Sequence, residues 1–353
     1  MQDISHIPPP SAENIPLQMD VDGFPMDDNN PSAGDTETPI KETGRFEDLK
    51  GKMFSKAMEE QGCQLLLQKL QERKLEDIQM IFSEVKDHIC KLMFNRFGSD
   101  VILKLFEVCD EEQKNQLVSS VTADARLLIH VCLDPQGSDT MQKFIEFPME
   151  QEQIYRIMRF FSYFAVPLAN HPIGSQVLGQ CFKIFPVPAK ETQPILDTIT
   201  EFCLELAVDE NGSNLLKILL SEHWSGVLSI VGKILTNVEI FSLAGDEFGS
   251  SLIQHLIGLL KHERLRDLVD QIQPLLVHLS YDKYGTEVVK KLIGASRAKY
   301  APQIISVMIK DPDLLDVISD PCCYSLLKYA KKYAKGTDRK TLDDLIHRYS
   351  QPL

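Results

Sequence analysis

Positive charge is scarce in this chain. Its 353 residues hold 37 Lys and Arg against 51 Asp and Glu, a formal net charge of −14. Net charge bears on partners rather than on fold. Such a chain is excluded as a general polyanion binder unless its cations gather on one face. The N-terminal stretch does not account for the imbalance. Residues 1–52 carry 4 basic and 11 acidic side chains, leaving 33 against 40 for the rest, so each part is net −7.

Other absences narrow the chemistry. The eight cysteines, at 63, 90, 109, 132, 181, 203, 322 and 323, form no C-x-x-C pair, and most lie inside apolar runs such as Leu128–Cys132. They read as buried, reduced thiols of an intracellular protein rather than as metal ligands. No apolar run approaches the ~20 residues needed to cross a bilayer, so no membrane role is expected. No basic stretch followed by an apolar one opens the chain, so no secretory signal is expected. Dinucleotide, P-loop, zincin and nucleophile-elbow motifs are all missing, so no enzyme is expected. His255 and His262 are seven apart with no third ligand, which leaves no metal site and no cofactor. Trp224 is the single tryptophan and reads as filler between repeats.

A repeated phrase is what the chain does have. Its clearest copy is Asp246-Glu247-Phe248-Gly249-Ser250-Ser251-Leu252-Ile253-Gln254. Copies surround Gly62, Gly98, Gly137, Gly174, Gly212 and Gly285, and a degraded one has Cys323 in the glycine place. Successive spacings are 36, 39, 37, 38, 37, 36 and 38 residues. A period this steady marks a solenoid whose units pack on their neighbours. Residues 1–50 stand outside it as a disordered acidic tail, with Pro8-Pro9-Pro10, Asp20, Asp22, Asp27 and Asp28 and too few apolar groups to offset chain entropy. A short recognition motif within the tail stays open. The folded part is residues 51–353, with units at about 53–87, 88–125, 126–163, 164–200, 201–236, 237–274, 275–311 and 312–349.

Each unit reads as helices only. A short helix precedes the glycine (Leu127–Leu133, Leu204–Val208), a longer one follows it, and a third comes after (Ile195–Leu206, Leu265–Leu276). Counting from Ser250 at ~100° per residue, Leu252, Ile253, Leu256 and Ile257 share one arc while Ser250, Ser251 and Gln254 share the opposite arc. The same split holds for Val101, Ile102, Leu105 and Phe106, for Leu215, Leu216, Leu219 and Leu220, and for Val288, Val289, Leu292 and Ile293. Each unit thus buries one face and presents three polar positions on the other.

This phrase, at this period and in eight copies, resembles the Pumilio (PUF) repeat over about residues 53–349, and most resembles divergent plant Pumilio homologues. Leu133-Asp134-Pro135-Gln136-Gly137-Ser138 with Met141-Gln142-Lys143, and Leu279–Gly285, are similar to it. The resemblance implies an all-α fold, a right-handed α-solenoid crescent of eight three-helix Pumilio-type repeats. It implies a monomeric cytoplasmic protein that binds single-stranded RNA in mRNA 3′ untranslated regions and regulates translation and stability. In such repeats two side chains read a base edge and a third stacks on the ring. Carried over, the first edge positions are Cys63, Ser99, Ser138, Ser175, Ser213, Ser250, Thr286 and Tyr324. The second are Leu67, Leu103, Gln142, Gly179, Lys217, Gln254, Lys290 and Lys328. The stacking positions are Gln64, Asp100, Asp139, Gln176, Asn214, Ser251, Glu287 and Ser325.

The residues depart from the family pattern. No stacking position holds an aromatic or Arg, and Asp100, Asp139 and Glu287 would repel phosphates. Ser138 with Gln142 and Ser250 with Gln254 keep family-like edge pairs that, by resemblance, suit adenine. Leu67, Leu103 and Gly179 offer no side-chain hydrogen bond. The serines at 99, 138, 175, 213 and 250 also read as helix N-caps, and the glutamines and lysines as solvated groups. Lys328, Lys331, Lys332 and Lys335 follow helical spacing as one basic stripe, for phosphates or for water. A second function therefore stands beside RNA regulation: a Pumilio-fold scaffold for protein partners with little sequence-specific RNA binding.

Overall fold

The computed structural model describes residues 46–349, apart from 186, 188, 223–225 and 237–239. Its regular elements are helices, in eight successive groups. Group one is α1 (Met53–Ala57), α2 (Glu60–Gln71) and α3 (Leu75–Val85), and group two α4 (Ile89–Met93), α5 (Arg96–Val108) and α6 (Glu111–Val121). Then come α7 (Ala125–Leu133), α8 (Pro135–Ile145) and α9 (Gln151–Tyr163), followed by α10 (Ala165–Ala169), α11 (Gly174–Ile184) and α12 (Gln193–Glu201). Groups five and six are α13 (Cys203–Ala207), α14 (Glu210–Glu222) and α15 (Leu228–Thr236), then α16 (Ile240–Gly245), α17 (Glu247–Leu259) and α18 (His262–Ile272). Group seven is α19 (Leu276–Ser280) and α20 (Lys283–Lys310), and group eight α21 (Leu314–Val317), α22 (Pro321–Ala330) and α23 (Gly336–Tyr349).

The aspartate of the repeated phrase starts the second helix. Asp246 Oδ1 accepts from the backbone N–H of Phe248 (2.9 Å) and Gly249 (2.8 Å), and Asp282 does the same for Tyr284 and Gly285. Asn95, Asp134, Asp209 and Asp320 act likewise. In the fourth group His171 Nδ1 takes the place. The expectation of serine caps is therefore wrong. Ser99, Ser138, Ser213 and Ser250 sit four residues past the cap, inside the helix, and Ser175 is the second residue of α11.

The glycine is required by a close crossing. A Cβ at Gly249 would lie 2.5 Å from the Leu243 carbonyl oxygen, and one at Gly137 2.5 Å from that of Val131. In the first seven groups the second helix crosses the end of the first at that point and only a bare α-carbon fits, whereas the eighth has Cys323 there.

Packing follows the apolar arcs. Val101, Ile102, Leu105 and Phe106 are all fully buried, and Leu252, Ile253, Leu256 and Ile257 are at most 2% exposed. Burying such side chains contributes ~1.5–3 kcal/mol each. The second helices α2, α5, α8, α11, α14, α17, α20 and α22 pack side by side in that order, and α6, α9, α12, α15 and α18 form a second row. One core runs through all groups, as a solenoid requires.

Three local differences from the sequence reading have plain causes. Ile195–Leu206 is not one helix, because the chain turns at Phe202 between α12 and α13. The segment Leu265–Leu276 ends earlier, where Pro274 lies in a 3-10 turn. In group seven the second and third helices run on as one 28-residue helix with Pro302 inside; the linking Ala295–Ala301 favours helix. The folded part also begins before residue 51. Phe46–Leu49 forms a 3-10 turn, Phe46 is buried, and Glu84 accepts from the backbone of Gly51 and Met53. The rest of the expected tail, residues 1–45, and Trp224 lie outside the described residues. All eight cysteines are free, and seven are buried.

Candidate nucleic-acid interface

The eight second helices present one continuous row of side chains, and the three expected positions do not share one exposure. The stacking positions Gln64, Asp100, Asp139, Gln176, Asn214, Glu287 and Ser325 are exposed, and Ser251 is half-buried. Among the second edge positions Lys328 is exposed, Gly179 is buried, and Leu67, Leu103, Gln142, Lys217, Gln254 and Lys290 are half-buried. The first edge positions sit deepest. Cys63, Ser99, Ser138, Ser213, Ser250 and Thr286 are buried, with Ser175 and Tyr324 half-buried. The expectation of three exposed polar positions per unit is thus corrected.

The buried hydroxyls are already engaged. Ser99 Oγ donates to the Arg96 carbonyl at 2.8 Å and Ser250 Oγ to that of Glu247 at 3.0 Å. Ser213 Oγ reaches the next repeat, donating to the Phe248 carbonyl at 3.1 Å. Thr286 Oγ1 donates to the Ser280 carbonyl at 2.8 Å. Of the two family-like pairs, Gln142 Nε2 donates to Ser138 Oγ at 3.2 Å.

Charged groups form a ladder between repeats. Lys217 Nζ donates to Ser251 Oγ at 2.9 Å and Lys290 Nζ to Ser325 Oγ at 3.0 Å, in each case from a second edge position to the next repeat's stacking position. Lys290 also pairs with Glu287 at 2.8 Å, and Lys143 pairs with Asp139 at 2.7 Å. Two of the three stacking carboxylates therefore carry their own counter-charge. Among the described residues Asp100 has no such partner. Burial pushes the Lys217 ammonium below its usual range. His255, hydrogen-bonded to Ser221 at 2.8 Å, is held low by burial and then by Lys217.

The acidity of this row gathers at its N-terminal edge, in the aspartates that cap α8, α14, α17, α20 and α22. Counting α20 as far as Ser296, the eight second helices hold ten Lys or Arg against eight Asp or Glu, whereas the whole chain has 37 against 51. The balance shifts along the row. In groups seven and eight Lys283, Lys290, Lys291 and Lys328 stand with Glu287 and the two capping aspartates, Asp282 and Asp320.

The basic stripe of the last unit is broken. α22 ends at Ala330, so Lys331, Lys332 and Lys335 leave the helix face of Lys328. Lys331 pairs with Asp343, Lys328 stands 4.2 Å over the Tyr324 ring, and Lys332 5.2 Å over Tyr329. Lys335 is exposed.

Sequence reasoning passed over one register. Five residues after each first edge position stand Gln68, Lys104, Lys143, Gln180, Ile218, His255, Lys291 and Tyr329, all exposed or half-buried. Seven of these eight are polar or phenolic, a periodicity that the same count of offsets could have found. No group of His, Cys, Asp and Glu among the described residues could hold a metal ion. No helix there is long and apolar enough to cross a membrane.

A family model described as the Pumilio-family RNA binding repeat matches residues 88–122, 128–159, 202–220 and 239–273. Pumilio homolog 12 of Arabidopsis thaliana is 29% identical over 301 residues, a match covering 85% of this chain and 50% of that protein. The chain is similar to Pumilio proteins and carries Pumilio-type repeats over those four segments. Pumilio homolog 11 of Arabidopsis thaliana is 28% identical over 310 residues, with 86% and 53% covered. The chain spans between half and about three fifths of the curated Pumilio relatives it matches first, 50% to 61% of their length. Two solved structures share the Pumilio architecture at low identity. The Puf4 RNA binding domain bound to an HO endonuclease RNA 3′ UTR recognition sequence matches with a TM-score of 0.69 at 22% identity, covering 84% of this chain and 93% of that one. The RNA-binding domain of yeast Puf5p bound to MFA2 RNA matches at 0.67 and 20% identity, with 84% and 89% covered. The family model touches groups two, three, five and six. Groups four and seven have the same capped, glycine-crossed second helix, group one keeps the glycine without the cap, and group eight keeps the cap with Cys323 in the glycine place.

Proposed function

We propose that this chain is a Pumilio-type RNA-binding protein that regulates mRNA translation and stability from 3′ untranslated regions. It does so as a monomer in the cytoplasm, without enzymatic activity. Its Pumilio homology domain begins at about residue 46, a few residues before the expected 51, and the stretch ahead of it is an acidic tail. The cations of the second helices carry this reading: beyond the capping aspartates those helices hold ten cations against eight anions, in a chain of net −14. Single-stranded nucleic acid is held by a positive track plus stacking platforms. Here the track is densest in groups seven and eight, and RNA is read there by Lys290, Lys328 and Tyr324, while the buried Thr286 holds the helix. The half-buried Gln142 and Gln254 supply the base-edge groups of groups three and six with Lys217 between, while Ser99, Ser138, Ser213 and Ser250 beneath them stay bonded within the protein.

A second reading is favoured by one observation. Lys217 and Lys290 already donate to Ser251 and Ser325, and no stacking position is aromatic or Arg, which fits a scaffold for protein partners. Titration of the purified chain with labelled single-stranded RNA of random sequence separates the two. RNA binding predicts an affinity falling by about 0.7 logarithmic units per phosphate contacted for each tenfold rise in salt. No binding at low salt supports the scaffold.

A further inference from the structure

A cavity of about 990 Å³ opens beside the second-helix row between groups six, seven and eight. That is the upper end of the ~300–1,000 Å³ seen for ligand sites. Two glycines make the room. Gly258 and Gly294 stand nine residues after the motif glycine in adjacent repeats, where other repeats have residues such as Glu107, Glu146 and Lys183. Glycine inside a helix is destabilising, so a pair at one register calls for a use. A Cβ at Gly258 would meet nothing within 4 Å, while one at Gly294 would lie 2.8 Å from the Tyr329 hydroxyl.

The wall and mouth differ in chemistry. Tyr329 and Tyr333 form the wall, with ring centroids 5.5 Å apart and hydroxyls 3.3 Å apart. The hydrogen bond to Tyr333 and then burial push the Tyr329 phenol up to about 12, so it stays a neutral donor. Ile257 and Leu265, each 2% exposed, are apolar lining. Lys261 and Lys291 are exposed at its edge. Among the described residues neither is in an ion pair, unlike Lys143 and Lys290. Lys290 and Lys291 are adjacent on α20. The first bonds along the second-helix row and the second borders the cavity, so a strand leaving the row meets the cavity at once.

We propose that this cavity receives one unstacked nucleotide of the bound single strand, its base on Tyr329 and its phosphate between Lys261 and Lys291. The proposal rests on the RNA-binding reading above. Aromatic stacking on a base is tolerant of sequence, so this subsite adds affinity without adding a code.

The test uses the full chain and single-stranded RNA of random sequence carrying 5-iodouridine, whose photo-crosslinks mark aromatic side chains stacked on it. Two variants accompany it. Gly294→Leu fills the cavity with a better helix former, and Lys291→Glu alters only an exposed charge; thermal unfolding checks that both remain folded. Crosslinks at Tyr329 or Tyr333, an affinity about five- to a hundredfold lower in Gly294→Leu, and a weaker salt dependence in Lys291→Glu support the proposal. RNA binding with crosslinks only elsewhere and unchanged affinity in both variants overturns it. That result leaves the RNA reading intact and the cavity to a protein partner. Failure of the wild-type chain to bind RNA at low salt overturns both.

Discussion

At Gly137 a methyl group would press on the Val131 carbonyl oxygen, whereas at Gly258 it would meet open space. The two glycines should therefore respond oppositely to alanine. Gly137→Ala is expected to cost about 1–3 kcal/mol through overpacking. Gly258→Ala should add about 0.5–1 kcal/mol through lower chain entropy. Urea unfolding of the two variants measures both signs. The thiols give a second residue-scale prediction. Burial pushes the Cys90 and Cys109 thiols up to about 12, and Cys132 and Cys181 higher still. Only Cys322 is not buried. A thiol reagent at neutral pH should label Cys322 alone in the folded protein and all eight cysteines after denaturation.

At the scale of the helix, the cap decides where each repeat's working face begins. Asp246→Ala should cost about 1 kcal/mol, since it orphans two backbone donors at the start of α17. Ser250→Ala should cost less than about 0.5 kcal/mol, because its hydroxyl only doubles a carbonyl already bonded within the helix. Equal losses would contradict this division of roles. The sequence pattern was enough to find α17 and its seven counterparts, because glycine at a fixed period and four apolar residues at helical spacing have one common solution. It misled about Ser250, since a serine following a glycine reads as a start when the start lies four residues earlier at Asp246. It also misled about the first edge positions. A helical wheel knows only its own axis, and what covers Ser213 is the next repeat, through Phe248. Likewise the spacing of Lys328, Lys331, Lys332 and Lys335 says nothing of the helix ending at Ala330, where Ala334 folds back into the core.

At the scale of the whole molecule, charge and period act together. The second-helix row runs the length of the solenoid, with its cations concentrated toward the C-terminal groups. Asp100 is the one stacking carboxylate without a counter-charge among the described residues, so it is the strongest local repeller of a phosphate strand. Asp100→Arg should raise affinity for single-stranded RNA by about fivefold or more, by removing repulsion and supplying a stacking plane. The same substitution at Asp139 should gain less, because it also frees Lys143 from its pair. The most direct measurement is the pattern of lysine acetylation with and without saturating single-stranded RNA, read by mass spectrometry. The account predicts protection of Lys217, Lys290, Lys291 and Lys328 on the second helices, with Lys114 on α6 and Lys310 at the end of α20 unchanged. Protection at Lys114 and Lys310 instead, or none anywhere, would contradict it.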